Sequence, residues 1–305
     1  MPQLSSQQEA CLPEKLFFVP PSSTSSRTLY FANGKNLDVL EECMKNSSIG
    51  WTHHTFDPWW GCTKVSPGCA NCYAESMSNR FGKDIWGKGK ERQRTSAANW
   101  RDPLAWDREA AKTGERKRVF CASMADVFDT GVPDDWRFNL FELIERTPNL
   151  DWLLLSKRPE NIQRMIAEIA TPICEAWDCE GVPPYNVWLG TSVEDQRRAD
   201  DRIPALLKTP AVVHFLSVEP LLAPVDLGNL VDIEWTICGG ESGPLCRPMN
   251  LQWAGDVRDQ CSRHNTTFFM KQLGGHPNKR ENIESFPLEL RIREFPTVTV
   301  VPNDA

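Results

Sequence analysis

Histidine, tyrosine and long apolar runs are all scarce in this sequence. The 305 residues include five histidines and three tyrosines, so a metal site built mainly from imidazoles has few residues to draw on. No segment approaches the roughly 18 to 20 consecutive apolar residues that a membrane-spanning helix needs. The first residues, MPQLSSQQEACLPEK, lack a charged region followed by an apolar core. We therefore expect a cytoplasmic protein that does not enter a membrane.

A strong excess of positive charge is also missing. The net charge of −7 argues against a protein that coats nucleic acid non-specifically. Residues 80–118 depart from this average, because they contain twelve lysines and arginines against six acidic residues, an excess of six. Such a segment can contact phosphates or form a solvated surface. Both interpretations stay open at this point.

Cysteine, by contrast, is abundant. The chain has eleven cysteines, and an odd number cannot pair completely within one chain. Disulfide frameworks are typical of small secreted domains, not of a chain of this length. We therefore expect thiol or metal chemistry.

Seven short β-rich apolar runs recur from residue 50 onward. They are WTHHTF at 51–56, RVFCASM at 118–124, WLLLS at 152–156, NVWLGTS at 186–192, VVHFLSV at 212–218, EWTICGG at 234–240 and TTFFMKQ at 266–272. Segments with helical spacing lie between them, marked by Phe138, Phe141 and Ile144, by Ile162, Met165, Ile166 and Ile169, and by Ala199, Ile203 and Leu206. This alternation predicts an α/β fold with parallel strands, either an open doubly wound sheet or a (β/α) barrel.

Polar residues follow the apolar runs and help to choose between these two folds. They are Asp126 and Asp129, Lys157 and Arg158, Glu194 and Asp195, Glu219, Glu241, and Lys271 and Gln272. Any one of them is explained as a helix cap or a loop residue, but six successive sets favour a shared site at the mouth of a barrel. We predict a partial or TIM-like (β/α) barrel. The candidate catalytic residues are Lys157, Arg158, Glu194, Glu219, Glu241 and Lys271.

Three regions follow from this pattern. Residues 1–48 are rich in Ser, Pro and Asn without sustained periodicity, which predicts a poorly ordered N-terminal extension. Residues 49–280 form the predicted barrel domain, and residues 281–305 form a C-terminal tail.

The segment WWGCTKVSPGCANCYAE places Cys62, Cys69 and Cys72 just after the first predicted strand. The close pair can direct two thiolates at a common metal, and the Gly, Pro and Asn residues between the thiols favour tight turns. Three ligands leave a coordination position open for a cofactor or substrate. Alternatively, a fourth ligand closes a structural zinc site, or the cysteines belong to the core. The candidate fourth ligands are His53, His54, Cys121 and Cys238.

This loop resembles the CxxCYA loop that holds a [4Fe–4S] cluster in radical S-adenosylmethionine (SAM) enzymes of the spore photoproduct lyase-like branch, although the first two cysteines are further apart than is usual there. More closely, the chain resembles the phage-associated three-Cys-motif family, whose reaction is unassigned. The matching segments, from about residue 50 to 275, are FDPWWGCTKVSPGCANCYAE, SMADVFD, LLSKRPENI, NVWLGTSVEDQ, RIPALL, FLSVEPLL, CGGESGPLCRPM and FFMKQLGG.

The resemblance implies a radical SAM-like barrel at residues 49–280, with the three cysteines as ligands of the cluster. It implies that Ser123 and Asp126 lie near the methionine end of SAM. Gly239 and Gly240 of the GGESG run, at 239–243, are cofactor-binding candidates because glycine, which lacks a Cβ atom, allows close approach of the backbone. This run resembles the GGE element that binds SAM in radical SAM enzymes, but it lies four strands later in the chain, so the role of that element is not carried over. Trp60, beside the cysteines, is a candidate for stacking on adenine or on a base.

These observations lead to a radical SAM-like enzyme as the first hypothesis. It would bind a [4Fe–4S] cluster and SAM, accept an electron from a donor, and act on an unidentified substrate for which nucleic acid or a nucleotide is one candidate. The alternative is a zinc- or cluster-bearing phage protein that binds nucleic acid without catalysis. A metal-dependent hydrolase that uses the clustered acids is a third hypothesis, for which the sequence is short of histidines.

Overall fold

The structure, a computed structural model, describes residues 47, 49–243, 245–275 and 280–298. Residues 1–46 and 48 of the predicted N-terminal extension lie outside the described residues, as do residues 299–305 of the predicted tail. The described strands are β1 (His54–Thr55), β2 (Trp59–Trp60), β3 (Gln93–Arg94), β4 (Lys117–Cys121), β5 (Leu150–Ser156), β6 (Val187–Ser192), β7 (Val213–Val218), β8 (Trp235–Gly239) and β9 (Thr267–Gln272). The described α-helices are α1 (Tyr73–Arg80), α2 (Asp102–Thr113), α3 (Asp134–Glu145), α4 (Ile162–Ala167), α5 (Pro172–Glu180), α6 (Gln196–Leu206) and α7 (Leu251–His264).

Seven of the strands form one parallel sheet in the order β1-β4-β5-β6-β7-β8-β9. The sheet curls into a half-barrel with β1 and β9 at its edges. This confirms the predicted partial barrel, and each of the seven predicted strands is present. Strands β2 and β3, which pair antiparallel beside the cysteines, were not predicted. Each has two residues, which is too short to show the alternation of apolar and polar residues that marks a strand.

The outer face of the sheet packs against the helices. In β5, Leu150, Trp152 and Leu154 are buried in the core shared with the helices, whereas Leu153 faces the inside of the half-barrel. The two faces alternate because successive side chains of a strand point to opposite sides. Because the strands are buried on both faces, their sequences are nearly continuous runs of apolar residues, as expected of a parallel sheet covered by helices.

The inside of the half-barrel is filled by aromatic side chains around Trp235. Its ring centroid lies 6.0 Å from those of Phe215 and Phe269 and 6.2 Å from that of Trp51. Edge-to-face and tilted contacts at these distances are favourable for aromatic pairs. The rings close the interior, so the space that remains open lies at the carboxyl ends of the strands.

The described part of the predicted C-terminal tail packs against the sheet. The backbone N–H of Met270 donates to the carbonyl of Ile292 over 2.8 Å, and the N–H of Glu294 donates to the carbonyl of Phe268 over 3.1 Å. Phe286 and Leu290 are buried. The segment therefore covers the edge of β9, whose backbone groups would otherwise be free to pair with another chain.

Among the described residues, no helix is both long enough and apolar enough to cross a membrane.

Gly190 in β6 tests the packing of the interior. A Cβ atom on this residue would lie 2.4 Å from the ring of Phe215, so Gly190→Ala forces the ring to move. We expect the free energy of unfolding to fall by about 1–3 kcal/mol, measured by urea denaturation. The control is Gly255→Ala in α7, where a Cβ would meet nothing within 4 Å; it should raise stability by up to about 1 kcal/mol. Equal behaviour of the two variants contradicts this account of the interior.

Candidate functional site

A cavity of about 790 Å³ opens at the carboxyl ends of the strands; we call it the main cavity. Its volume lies within the roughly 300–1,000 Å³ of small-molecule sites. Trp51, Phe120 and Leu155 form apolar parts of its wall. Its polar wall includes Ser192 and Ser217, which end β6 and nearly end β7. The inward positions therefore change from aromatic to polar as the strands approach the cavity.

Most of the residues predicted from the sequence meet at this cavity. Those that line it are Cys62, Cys69, Cys72, Trp60, Ser123, Asp126, Lys157, Arg158, Glu219, Glu241 and Lys271. Three predicted residues, Glu194, Gly239 and Gly240, are not among its lining residues. The arrangement follows from the parallel sheet, which brings the residues after each strand to the same end.

The cysteines lie on residues 61–72, which we call the cysteine loop. Gly61 has a φ angle of +108°, and a Cβ there would lie 2.5 Å from the carbonyl oxygen of Ile85. Both observations require glycine directly before Cys62. A short 3-10 turn, Pro67–Cys69, carries the second thiol, and Cys72 immediately precedes α1. The turn residues identified in the sequence thus place all three thiols on one wall.

All three thiols are half-buried and free of disulfides. Burial, followed by the nearby carboxylate of Asp126, raises the pKa of Cys62 to about 12, although Arg158 acts in the opposite direction. Burial also raises the pKa of Cys72, against the effect of adjacent backbone N–H groups and of Lys157. These two thiols are therefore neutral at ordinary pH unless a cationic centre displaces their protons, as a bound metal does.

The three cysteine thiols are potential ligands of two kinds of metal centre, a single ion or an iron–sulfur cluster. Within the described ranges, no three cysteine, histidine or acidic side chains are arranged to hold one metal ion. A single zinc ion draws its thiolates together at about 2.3 Å each, whereas a cluster of several iron and sulfide ions holds them further apart. The candidate fourth ligands do not line the main cavity; they are His53, His54, Cys121 and Cys238. Three soft thiols thus line one cavity, and thiolates are the usual ligands of iron–sulfur clusters, so the donor set fits such a cluster in its chemistry.

Arg158 connects the cysteine loop to the barrel. Its Nη1 donates to the Sγ atom of Cys62 over 3.5 Å and to Oδ2 of Asp126 over 2.8 Å, and its Nη2 donates to the carbonyl of Thr63 over 2.5 Å. The side chain is almost wholly buried. A buried guanidinium requires such partners to offset its desolvation, so this residue holds Cys62 in position.

Asp126 is fully engaged by groups of the protein. Its Oδ1 accepts from the N–H of Phe128 and the hydroxyl of Ser156, and its Oδ2 accepts from the N–H of Lys157 and from Arg158, all within 3.0 Å. Four donors saturate most of the accepting capacity of a carboxylate. Asp126 lines the main cavity, and in this structure it positions the strand ends.

A second buried pair fixes the far side of the cysteine loop. The Nη2 of Arg92 lies 2.6 Å from Oδ2 of Asp129 and donates to the hydroxyl of Thr63 over 2.8 Å. Its Nη1 donates to the carbonyls of Ile85 and Gly87 over 3.2 and 3.3 Å. Arg92 was not identified in the sequence, because nothing local distinguishes it from the exposed cations of the same basic segment.

The middle of the cysteine loop rests on two acidic residues. Glu194 is fully buried, is paired with Arg202 over 2.8 Å, and accepts from the N–H of Gly68 over 3.4 Å. Glu241 accepts from Asn71 over 3.0 Å and is paired with Arg247. Both carboxylates therefore support the loop; the predicted catalytic role of each remains a prediction.

Two other residue pairs of interest lie around the main cavity. Lys271 Nζ lies 2.5 Å from Oε1 of Glu219, and Lys157 Nζ donates to the hydroxyl of Ser192 over 2.8 Å. Both lysines line the main cavity. Lys157 also lies close enough to Cys72 to lower the pKa of that thiol against the effect of burial.

Asp57 is a residue of the main cavity that the sequence did not reveal. Its carboxylate accepts from the hydroxyl of Ser123 over 2.9 Å and from the N–H of Met124 over 2.7 Å. Burial raises the pKa of Asp57. The FDPWW segment that contains it was noted only as part of a motif, and a single Asp before Pro reads as a turn residue.

Packing of the backbone explains one of the two glycines of the GGESG run, Gly240. A Cβ on Gly240 would lie 2.1 Å from the backbone nitrogen of Gly274, and one on Gly239 would lie 3.4 Å from the side chain of Gln272. The ends of β8 and β9 therefore approach too closely for a larger residue at 240. The predicted approach of a cofactor to these glycines remains a prediction.

Together, the fold and the cavity define a parallel half-barrel protein with a three-cysteine loop at its carboxyl-end cavity. The family model described as "Protein of unknown function (DUF5131)" matches residues 46–294, and the chain belongs to this family. No curated protein matches the chain significantly.

Three solved structures of spore photoproduct lyase are similar to this chain. A variant with dinucleoside spore photoproduct gives a TM-score of 0.42 at 13% identity, over 73% of this chain and 57% of that one. A variant with bound AdoMet and the same dinucleoside gives 0.41 at 12%, over 72% and 63%. A third variant gives 0.44 at 12%, over 72% and 75%. This chain thus spans little more than half the length of the first of them.

Removal of Arg92 should destabilise the protein strongly. Arg92→Gln leaves the carboxylate of Asp129 buried without its main partner, which costs about 3–5 kcal/mol in comparable buried pairs. The control is Lys90→Gln, which removes an exposed pair with Asp84 and should cost at most about 1 kcal/mol. Urea denaturation measures both variants. Similar losses in the two would contradict the assignment of Arg92 as the buried clamp of the loop.

The raised pKa of Cys62 predicts slow alkylation in metal-free protein. The thiolate is the reacting form, so Cys62 should react with iodoacetamide more slowly at pH 8 than the exposed Cys179. Because its pKa is about 12, its rate should keep rising with pH without reaching a plateau by pH ~10. Peptide mass spectrometry follows each site separately. A plateau for Cys62 near neutral pH would show that the thiol is not held in its neutral form.

Proposed function

We propose that Cys62, Cys69 and Cys72 bind a [4Fe–4S] cluster and that the main cavity binds SAM beside it. The protein would then be a radical SAM-type enzyme that acts on a nucleic acid or a nucleotide. The observation that carries this proposal is that three half-buried thiols of one loop line a single large cavity at the carboxyl ends of a parallel half-barrel. The resemblance of GCTKVSPGCANCYAE to the cluster-binding loop of radical SAM enzymes supports the same proposal.

Three protein thiolates leave one iron of such a cluster open to a small ligand. When bound, the cluster would supply the electron that cleaves the sulfonium of SAM and releases a 5′-deoxyadenosyl radical. That electron requires an external donor. The free cysteines of the described chain suit a reducing compartment such as the cytoplasm.

Some residues around the cavity would contact SAM or the substrate, and others position the cysteine loop. Lys157, whose ammonium is held by Ser192, would meet the carboxylate of SAM or a phosphate of the substrate. Ser123 and Asp126 would lie near the methionine end of SAM. Arg158 donates to Cys62 and Asp126, so we assign it the positioning of the cysteine loop instead of direct contact with a ligand.

The remaining roles concern protons, bases and water. Glu219 and Lys271 form an ion pair in the cavity wall and would hold or transfer a proton of the substrate. Trp60 would stack on adenine or on a base of the substrate. The apolar wall formed by Trp51, Phe120 and Leu155 would exclude water from a reactive species.

Anaerobic purification tests the proposal directly. We expect about four irons per chain and, after reduction in the presence of SAM, formation of 5′-deoxyadenosine. Cys69→Ala should remove both the iron and the product. The matched control is Cys179→Ala, which removes an exposed thiol in α5 and should change neither. One zinc per chain in place of iron would overturn the proposal and favour the non-catalytic alternative.

A further inference from the structure

A second cavity adjoins the main cavity on the side of the β2–β3 pair. Its volume is about 400 Å³, and its wall is formed by Thr55, Asp57, Trp60, Lys83, Gln93, Arg94, Thr95, Ser96 and Asn99. Thr55, Asp57 and Trp60 line both cavities. We call this second space the basic cavity. None of the three cysteines of the cysteine loop lines it.

Two cations are held in the basic cavity by aromatic rings. The Nζ of Lys83 lies 4.1 Å from the ring centroid of Trp60, and the guanidinium of Arg94 lies 4.3 Å from that of Trp100 and 6.0 Å from that of Trp136. Within the described part of the chain, neither cation forms a salt bridge with a carboxylate. Stacking fixes Arg94 while its N–H groups stay available, which suits the planar recognition of an anion.

Uncharged donors surround these cations. The amide of Gln93 makes no hydrogen bond to another described residue, and the hydroxyl of Ser96 only accepts one, from the N–H of Asn99 over 3.3 Å. Both groups are therefore able to donate to an oxygen in the cavity. Asp57, which lines both cavities, uses both carboxylate oxygens to accept hydrogen bonds, from Ser123 and from Met124.

An exposed apolar stripe continues from Trp60 along α1. Tyr73, Met77 and Phe81 recur at intervals of four residues, and all three are exposed, Phe81 by 65%. The rings of Phe81 and Trp60 have centroids 6.0 Å apart. Tyr73 and Met77 also line the main cavity. Flat exposed rings next to cations are the usual arrangement for bases and phosphates of one ligand.

We infer that the basic cavity binds a phosphate group of the substrate, with Lys83 and Arg94 as its cationic contacts and Trp60 as the wall against which the attached base lies. The inference rests on the proposed function in one respect, since it takes the main cavity as the place of reaction. The phosphate has two possible sources, a phosphodiester of a single nucleic-acid strand or the phosphomonoester of a free nucleotide. In both cases the site holds the phosphate outside the main cavity and directs the base or sugar into it.

Binding measurements on the full chain test this inference without any catalytic step. The probes are a mixed-sequence single-stranded oligonucleotide, each of the four deoxynucleoside monophosphates, and the matching nucleosides without phosphate. We expect phosphate-bearing probes to bind and the double variant Lys83→Gln/Arg94→Gln to weaken them by about tenfold or more. For the oligonucleotide, the slope of log affinity against log salt should fall by about 2, one for each lost cation.

The matched control removes the same charge from the same basic segment. Arg108→Gln/Lys112→Gln changes two exposed residues of α2 outside both cavities and should leave affinity within about twofold, because isolated exposed charges contribute little. Arg94→Lys keeps the charge but loses the planar guanidinium, so it should bind more weakly than the wild type and more tightly than Arg94→Gln. Thermal unfolding of every variant is measured alongside.

The pattern of probes identifies the source of the phosphate. If the double variant weakens binding of the oligonucleotide alone, the phosphate is a phosphodiester. If it weakens binding of the monophosphates, the phosphate is a phosphomonoester.

The inference is overturned if nucleosides bind as tightly as their monophosphates, if the control pair weakens binding equally, or if no phosphate-bearing probe binds. Iron content and cleavage of SAM are measured on the same samples. If the protein binds iron but the double variant does not weaken the binding of phosphate-bearing probes, this inference alone is refuted. If the protein lacks iron but the double variant does weaken that binding, only the radical SAM proposal is refuted.

Discussion

The buried guanidinium of Arg158 is the interaction on which the candidate site depends. It donates at once to the thiol of Cys62, to the carbonyl of Thr63 and to Asp126. A cation removed from water needs several acceptors, and each acceptor must then stay in place. The cysteine loop, which contains little regular structure, therefore takes its position from the ends of β4 and β5.

The same principle explains how the other charges of the site are arranged. Arg92 with Asp129, Arg202 with Glu194, and Arg247 with Glu241 pair beneath or beside the cysteine loop. Breaking such a pair on one side leaves an uncompensated charge, so each pair helps to hold its part of the structure in place. Lys157, Glu219 and Lys271 differ from them, because they line the main cavity without a direct bond to the loop.

The interior of the half-barrel places the chemistry at one end. Aromatic rings around Trp235 fill the inside of the sheet, and serines and charged residues replace them where the strands end. The three thiols therefore share one cavity with several of the cations and carboxylates of the site. Membership of DUF5131 gives the chain a family of unknown function, so the proposed reaction depends on the three cysteines and on the cavity they line.

The sequence by itself determined the seven parallel strands, the three-cysteine loop and the end of the sheet at which polar residues gather. These features are local, because apolar runs, turn residues and the residue after each strand are read within a few positions. Only the tertiary structure decided which carboxylates are already paired with groups of the protein. Asp126 and Glu241 were candidates because each follows a predicted strand, and the structure pairs them with Arg158 and Arg247. The tertiary structure also identified Arg92 and Asp57 as residues of the site. It explained why residue 240 is glycine, because this residue packs against the backbone of Gly274. Such pairings join residues that are distant along the chain, and their selection depends on distances that no local pattern contains.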